Sequence, residues 1–229
     1  MKTVALVPVK SISERVKSKN FRDFFNGKSL FDILLDKLIK SKVFDEIYIS
    51  SNSLEAKEKA TSLGLKFLQR DDSFCNNEVP WSDVIAHIAE TIPEDKNTTL
   101  AWCHTTSPTF NRYDEAINTF HKLLESGSND GLVSVIKSSD FIVSEKLIPI
   151  NYSWGPWHRY SQNLEKYYYI TYALFVSSIE SMIKNRYVIS KNPHFFEVKP
   201  IEAIDIDSEY DFELAKILME NISNLSRYD

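Results

Sequence analysis

Glycine is scarce in this chain, with five in 229 residues, and cysteine is scarcer, with only Cys75 and Cys103. The two cysteines form no CxxC pair, which excludes a disulfide framework and a thiolate zinc site. No stretch follows the Gly-rich, Lys-Ser/Thr pattern of a Walker A phosphate loop. No apolar run approaches the roughly 18 to 20 residues that cross a bilayer. Met1 leads directly into a strand-like run with no secretory h-region, so a cytoplasmic location is expected, with no membrane partner. The net charge is -5, the wrong sign for broad attraction to phosphate backbones, so no nucleic-acid partner is expected. There is no internal repeat and no low-complexity tract. The length fits one domain over 1–229.

What the chain does carry is alternation. Residues 3–8 are a short valine-rich run of the kind buried on both faces of a sheet. From Ser29 onward, Phe31, Leu34, Leu35 and Leu38 recur at helical spacing, with Asp32, Asp36 and Lys37 on the other side. Further strands are expected at 46–50, 65–68, 99–103, 132–136, 171–176 and 202–206. Helices are expected at 54–63, closed by Gly64, and after Ser82, read as a cap, with Trp81, Ile85, Ile88 and Ile92 along one stripe. Two more are expected, one carrying Ala116, Phe120, Leu123 and Leu124 inward, and one over 209–220. Ser208 and Asp211 form a variant capping box for the last. This order implies an α/β fold, a mostly parallel Rossmann-like sheet with helices on both faces, whose ligands collect at the carboxyl ends of the strands. Residues 141–170 break the rhythm and concentrate Trp154, Trp157 and several tyrosines. They are read as an inserted lid or a dimerisation segment, and a homodimer is expected.

Two clusters carry chemistry. The loop at 7–20 places Lys10, Arg15, Lys17 and Lys19 just beyond the first strand, with Ser11, Ser13 and Asn20 as neutral donors. A charged loop is often merely solvated, but this one lies where the fold puts ligands. A nucleoside triphosphate, with roughly four negative charges, needs such cations at short range. Asp205 and Asp207, two apart on an expected strand end, would present both carboxylates on one face. Magnesium takes oxygen ligands and commonly uses one or two carboxylates plus substrate phosphates. His104 stands at a strand's carboxyl end, whereas the other histidines share no spacing.

In their order along nearly the whole chain these stretches resemble the acylneuraminate cytidylyltransferases. Pro8, Lys10, Ser13, Lys19 and Asn20 match the family's Pro-x-Arg-Gly-Gly-Ser-Lys and later Lys-Asn, with Lys10 for Arg and with Ser11 and Ile12 in place of Gly-Gly. GKSL at 27–30 is similar to Gly-Lys-Pro-Leu, and FDEIYISSNS at 44–53 to a strand ending in Ser-Thr-Asp, with Asn52 for that Asp. Arg70 and the WSDV stretch at 81–84, which includes Ser82, fall where relatives hold cytosine and ribose. HTTSP at 104–108 resembles Gln-Pro-Thr-Ser-Pro, and DGLVSVIK at 130–137 the strand before the sugar site. Gln162 and Tyr168 align with an Arg-Gln and Tyr pattern, Ser161 replaces its Arg, and Arg159 is a neighbouring substitute. Thr171-Tyr172-Ala173-Leu174-Phe175 stands for Asn-Gly-Ala-Ile-Tyr.

The resemblance implies transfer of CMP from CTP to a sialic-acid-like acidic sugar with release of pyrophosphate, feeding surface-glycan synthesis. It implies Mg2+ held by Asp205 and Asp207, one of which takes the proton of the attacking hydroxyl. It implies triphosphate contacts by Lys10, Arg15 and the catalytic Lys19, and nucleotide contacts by Pro8, Ser13, Asn20, Arg70, Ser82 and His104. Acceptor contacts would come from Thr106, Ser107, Lys137, Arg159, Gln162 and Tyr168. Three other functions share parts of the pattern: a cytidylyltransferase for another small acid or phosphorylated acceptor, a glycosyltransferase with a DxD metal site, and a non-catalytic nucleotide-binding relative. A glycosyltransferase normally has its DxD in mid-chain and lacks the cationic loop. The reading requires Lys19 and Asp207, far apart in sequence, to meet at one rim of the sheet.

Overall fold

In the computed structural model, residues 1–13, 15–76 and 78–225 are described. Valine and leucine in the first run build β1 (Thr3–Pro8), buried along almost its whole length because strands flank it on both sides. Helix α1 (Leu30–Ser41) starts where Ser29 and Asp32 exchange side-chain and backbone hydrogen bonds, and it turns Phe31, Leu34, Leu35 and Leu38 inward. Then follow β2 (Glu46–Ser51), α2 (Leu54–Ser62) and β3 (Lys66–Gln69), with Gly64 in the left-handed region ending α2's turn. The alternation continues through α3 (Trp81–Thr91), β4 (Thr99–Cys103), α4 (Tyr113–Glu125) and β5 (Gly131–Ser138). After a long excursion come β6 (Tyr167–Ser178), α5 (Ile179–Asn185), β7 (Pro193–Glu197) and α6 (Glu209–Leu225).

The seven strands form one sheet in the order β3-β2-β1-β4-β6-β5-β7, and only β6 runs antiparallel to its neighbours. The carboxyl ends of β1, β4 and β5 therefore open at one rim. One apolar layer joins the sheet to residues of α1, α2 and α4, and a second joins it to α3 and α5. A third, smaller core sits at the rim, where Val16 of the basic loop packs with Phe24, Leu30, Ile33, Ile206, Phe212 and Ala215. It ties the loop after β1 to the segment before α6.

Several expectations need correction. Residues 202–206 are not a strand: a single 3-10 turn at Pro200–Glu202 leads into irregular chain, and the last strand is β7 instead. Glu202 is buried there and pairs with Arg112, which holds the segment in a turn. Asp205 and Asp207 thus owe their proximity to a loop rather than to a pleat. Strand β6 is longer than expected and takes in Tyr167, Tyr168 and Tyr169. Ser82 lies inside the first turn of α3, whose cap residue is Pro80 without a side-chain bond. Trp81 is not in the core stripe; it is 46% exposed. Between β5 and β6 the chain holds only an isolated bridge and two short 3-10 turns, as expected of an excursion. Among the described residues no helix is long and apolar enough to cross a membrane.

Candidate active site

The loop after β1 is pinned at both ends. Ser11 donates its N–H to Asn52 Oδ1 at 3.0 Å, at the carboxyl end of β2, where the chain lacks the Gly-Gly of the motif it resembles. Farther on, Val16 is fully buried, and Asn20 accepts a 2.7 Å bond from the Thr105 hydroxyl at the end of β4. These contacts leave Lys10, Ser13, Arg15 and Lys19 around a cleft of about 460 Å³ at the carboxyl rim. Pro8, Asn20, Arg70, Trp81, His104, Thr105 and Thr106 complete its walls. A second hollow of about 330 Å³ adjoins it, sharing Lys10, Arg70 and Trp81 and backed by Phe74, Val79 and Val84.

Two of the cations lining the cleft, Arg70 and Lys19, are withdrawn from water. Arg70 is 5% exposed, donates to Val9 O at 2.7 Å and keeps a buried Nε without a partner; among the described residues no carboxylate forms an ion pair with it. Burial pulls its pKa down, with Cys75 opposing. A buried guanidinium with a spare donor and no counter-ion favours an anionic or oxygen-rich ligand. Lys19 donates to Ile206 O at 2.5 Å and lies 3.9 Å from Asp207 Oδ1. Burial lowers its pKa, against the pull of Asp207 and Asp205.

The aspartates face these cations. Ile206 N–H donates to Thr106 O at 3.0 Å, stitching the segment to the loop after β4. Asp205 is largely withdrawn from water, which raises its pKa; Asp207 beside it pushes the same way, while the Thr106 hydroxyl and Lys19 oppose. Arg15 pairs with Asp207 at 2.7 Å, both side chains being about half exposed or more. Such a pair is worth at most about 1 kcal/mol, so a phosphate or a cation can displace it cheaply. Two neighbouring carboxylates, one of them desolvated, form a donor set of the hard oxygen type that suits a divalent cation. Among the described residues no group of three or more His, Cys, Asp or Glu could hold a metal unaided, so phosphate and water oxygens would complete such a shell.

His104 stands over the floor of the cleft, tilted against Trp102 at 6.5 Å and edge-on to Phe175 at 6.0 Å. Burial, followed by Lys19, lowers its pKa to about 4, so it is a neutral imidazole at pH 7. Ser107 is buried and turned away, its hydroxyl donating to Thr171 O at 3.4 Å. Lys137 and Tyr168 lie opposite each other on β5 and β6 toward the same rim, with Tyr168 bonded to Glu197 at 3.2 Å. Arg159 and Gln162 are exposed in the excursion. None of these five, nor Ser82, is among the residues lining the main cleft. Thr105 and Val16 were missed by sequence reasoning. Thr105 looked like turn chemistry, and an apolar side chain inside a basic loop gave no signal of an anchor. Trp81 was read both as a helix-stripe residue and as part of the nucleotide stretch 81–84, and it lines the cleft.

Residues 4–138 match the sequence model of a family described as cytidylyltransferase. The chain is 26% identical over 214 residues to a Helicobacter pylori protein named pseudaminic acid cytidylyltransferase and UDP-2,4-diacetamido-2,4,6-trideoxy-beta-L-altropyranose hydrolase. That match covers 90% of this chain but only 40% of the Helicobacter protein's length. It is 23% identical over 227 residues to the pseudaminic acid cytidylyltransferase of Campylobacter jejuni, covering 95% of this chain and 96% of that one. A solved structure of CMP:2-keto-3-deoxy-manno-octonic acid synthetase complexed with CTP superposes with a TM-score of 0.67 at 13% identity, over 96% of this chain and 99% of the other, a likeness of fold.

Proposed function

Because this chain belongs to the cytidylyltransferase family, we propose that it transfers the CMP part of CTP to a hydroxyl of a sialic-acid-like acidic sugar and releases pyrophosphate. The observation that carries the reading is the meeting of Lys19 and Arg15 with the segment 205–207 at the rim of the cleft, through the Lys19 bond to Ile206 O and the Arg15 pair with Asp207. An acidic sugar as acceptor is supported by the names of the relatives, both pseudaminic acid cytidylyltransferases.

The acceptor oxygen forms a bond to the α-phosphorus as the bond from that phosphorus to the bridging oxygen of pyrophosphate breaks. The hydroxyl proton passes to a carboxylate oxygen of Asp205 or Asp207. Negative charge builds on the phosphate oxygens, so fixed cations nearby lower the barrier. Lys10, Arg15 and Lys19 hold the β- and γ-phosphates, and their cost of reorganisation is small because Val16 and Asn20 already fix the loop. Pro8, Ser13, Asn20, Arg70 and His104 line the nucleotide's place, with Arg70 toward its ribose or base. Asp205 and Asp207 would hold Mg2+, which when bound supplies Lewis-acid stabilisation to the phosphates. Thr106 meets the acceptor from the cleft wall, while Lys137, at the same rim, offers a cation for its carboxylate. The exposed segment at 141–170 joins two copies of the chain.

A pyrophosphate-release screen tests this reading: the four nucleoside triphosphates against a panel of acidic sugars, with and without Mg2+. Release with CTP, an acidic sugar and Mg2+ together is the expected result, and its absence across the panel would refute the assignment.

A further inference from the structure

Tyr172 adopts φ of 57°, the left-handed region that disfavours any residue with a side chain. The other residues with that geometry sit in loops, in turns or at helix ends, but Tyr172 lies inside strand β6. It occupies a β-bulge: the pairing of β5 with β6 breaks between Val133 and Val135, and the extra residues of β6 fall between Ile170 and Phe175. The bulge is fastened on several sides. The Thr171 hydroxyl donates to Ser134 Oγ at 2.9 Å, Leu174 N–H donates to the same oxygen at 3.0 Å, and Ser107 Oγ reaches Thr171 O. Residues held so firmly in an unfavoured conformation tend to be aimed at something.

What the bulge aims is an aromatic ring. The Tyr172 ring lies edge-on to His104 at 6.2 Å and to Phe175 at 5.9 Å, yet 48% of the residue is exposed. His104 lines the main cleft. In the sheet, β1 lies on one side of β4 and β6 on the other. Pro8 and the cationic loop line the cleft from the β1 side, and Tyr172, which is not itself among the lining residues, stands against His104 from the β6 side. A row of rings thus runs along the rim from Trp81 through Trp102 and His104 to Tyr172, with both ends half open to water. The motif that this stretch resembles has glycine at the same place and so has no ring there.

We propose that Tyr172 is a specificity-determining residue, an aromatic wall beside His104 that packs against the acceptor sugar and selects acceptors carrying an apolar C–H face or an acyl or methyl substituent there. The inference rests on the proposed transfer reaction. An aromatic face excludes water from such groups and gains from burying them, and it offers nothing comparable to a hydroxyl.

Steady-state kinetics of the full chain separate the inference from its premise. For Tyr172→Gly the expected result is an acceptor KM raised about tenfold with the CTP KM within about twofold. The same variant should melt at a higher temperature than wild type, since glycine relieves the strained φ. Tyr172→Phe should retain the wild-type acceptor KM, because the ring rather than its hydroxyl forms the wall. Equal rises in both KM values, or an acceptor KM unchanged in folded Tyr172→Gly, would overturn the inference while leaving the transfer reaction standing. If Tyr172→Gly fails to fold, Tyr172→Asn, whose side chain also tolerates a positive φ, takes its place: an acceptor KM raised about tenfold is expected, and an unchanged one overturns the inference. A wild-type chain that turns over no acidic sugar overturns the reaction and the wall together.

Discussion

A lysine withdrawn from water sheds its proton unless a carboxylate compensates, and Lys37 shows the effect away from the cleft. Its Nζ donates to Pro108 O and, at 2.9 Å, to Phe110 O, in the loop that follows β4. Burial pulls its pKa down to about 7, with Glu202 opposing weakly. A neutral amine has two N–H donors for these two carbonyls, so the clamp persists without the charge. The unfolded chain holds the proton up to about pH 10.5, so between about 7 and 10.5 the unfolded state binds more protons than the native one. Stability due to this group therefore rises with pH across that window and is lost as the pH falls through 7. Urea denaturation of wild type and Lys37→Met from pH 6 to 10 should display this as a difference that grows with pH in favour of wild type. A second prediction concerns Asp207. With Mg2+ and CTP saturating, Asp207→Asn should lose about a hundredfold or more in kcat, measured as pyrophosphate release, and near-wild-type turnover would remove it from the machinery. Lys10, Arg15, Lys19 and the two aspartates were legible because their chemistry is local and charged. Thr105 was not, because its part depends on which way a hydroxyl turns toward Asn20.

At the scale of elements, the third core explains how residues nearly two hundred positions apart keep company. Phe212 of α6 is 1% exposed, meets Phe24 edge-on at 5.0 Å and lies under the Arg22 guanidinium at 3.8 Å. Around it Val16 and Ile206 bring the cationic loop and the aspartate segment to the same small cluster. Phe212→Ala should cost about 3 to 5 kcal/mol in unfolding free energy. It should also raise the CTP KM, because the loop and the aspartates lose their common anchor. Thermal unfolding and kinetics on one preparation check both effects. A stability loss with an unchanged KM would mean that the cluster supports the fold but not the site. The elements that carry this arrangement were partly legible. β1, α1 and β2 follow directly from apolar spacing. The stretch 202–206 was expected as a strand but is closed into a turn by the buried Glu202 and its bond to Arg112, a tertiary effect that no local pattern contains. β7 lies outside the expected strands and begins with proline; it is an edge strand, where a missing N–H costs little.

Across the molecule several aromatic side chains are exposed, and the excursion between β5 and β6 holds a group of them. Trp154, Trp157 and Tyr160 are each more than half exposed, and Phe141, Ile148 and Ile150 are open beside them. Within the segment, Phe141 stacks on His158 at 4.8 Å and meets Tyr152 edge-on, so the excursion has an internal scaffold with its tryptophans left outside. Monomeric proteins seldom leave apolar patches of this kind uncovered, and the hydrophobic gain from covering tryptophans is among the largest that a surface residue offers. The proposed occupant is a second copy of the chain, since an isologous contact places the same patch on both partners and needs no other complementary surface. Sedimentation equilibrium should find a dimer for wild type at micromolar concentrations. Trp154→Ser with Trp157→Ser should weaken it at least about tenfold, because hot spots at interfaces concentrate in such residues. The substitutions lie outside the main cleft, so the CTP KM should stay within about twofold. A wild-type chain that sediments as a monomer would instead leave the segment to act as a lid, and the double variant would then alter the acceptor KM without any change in mass.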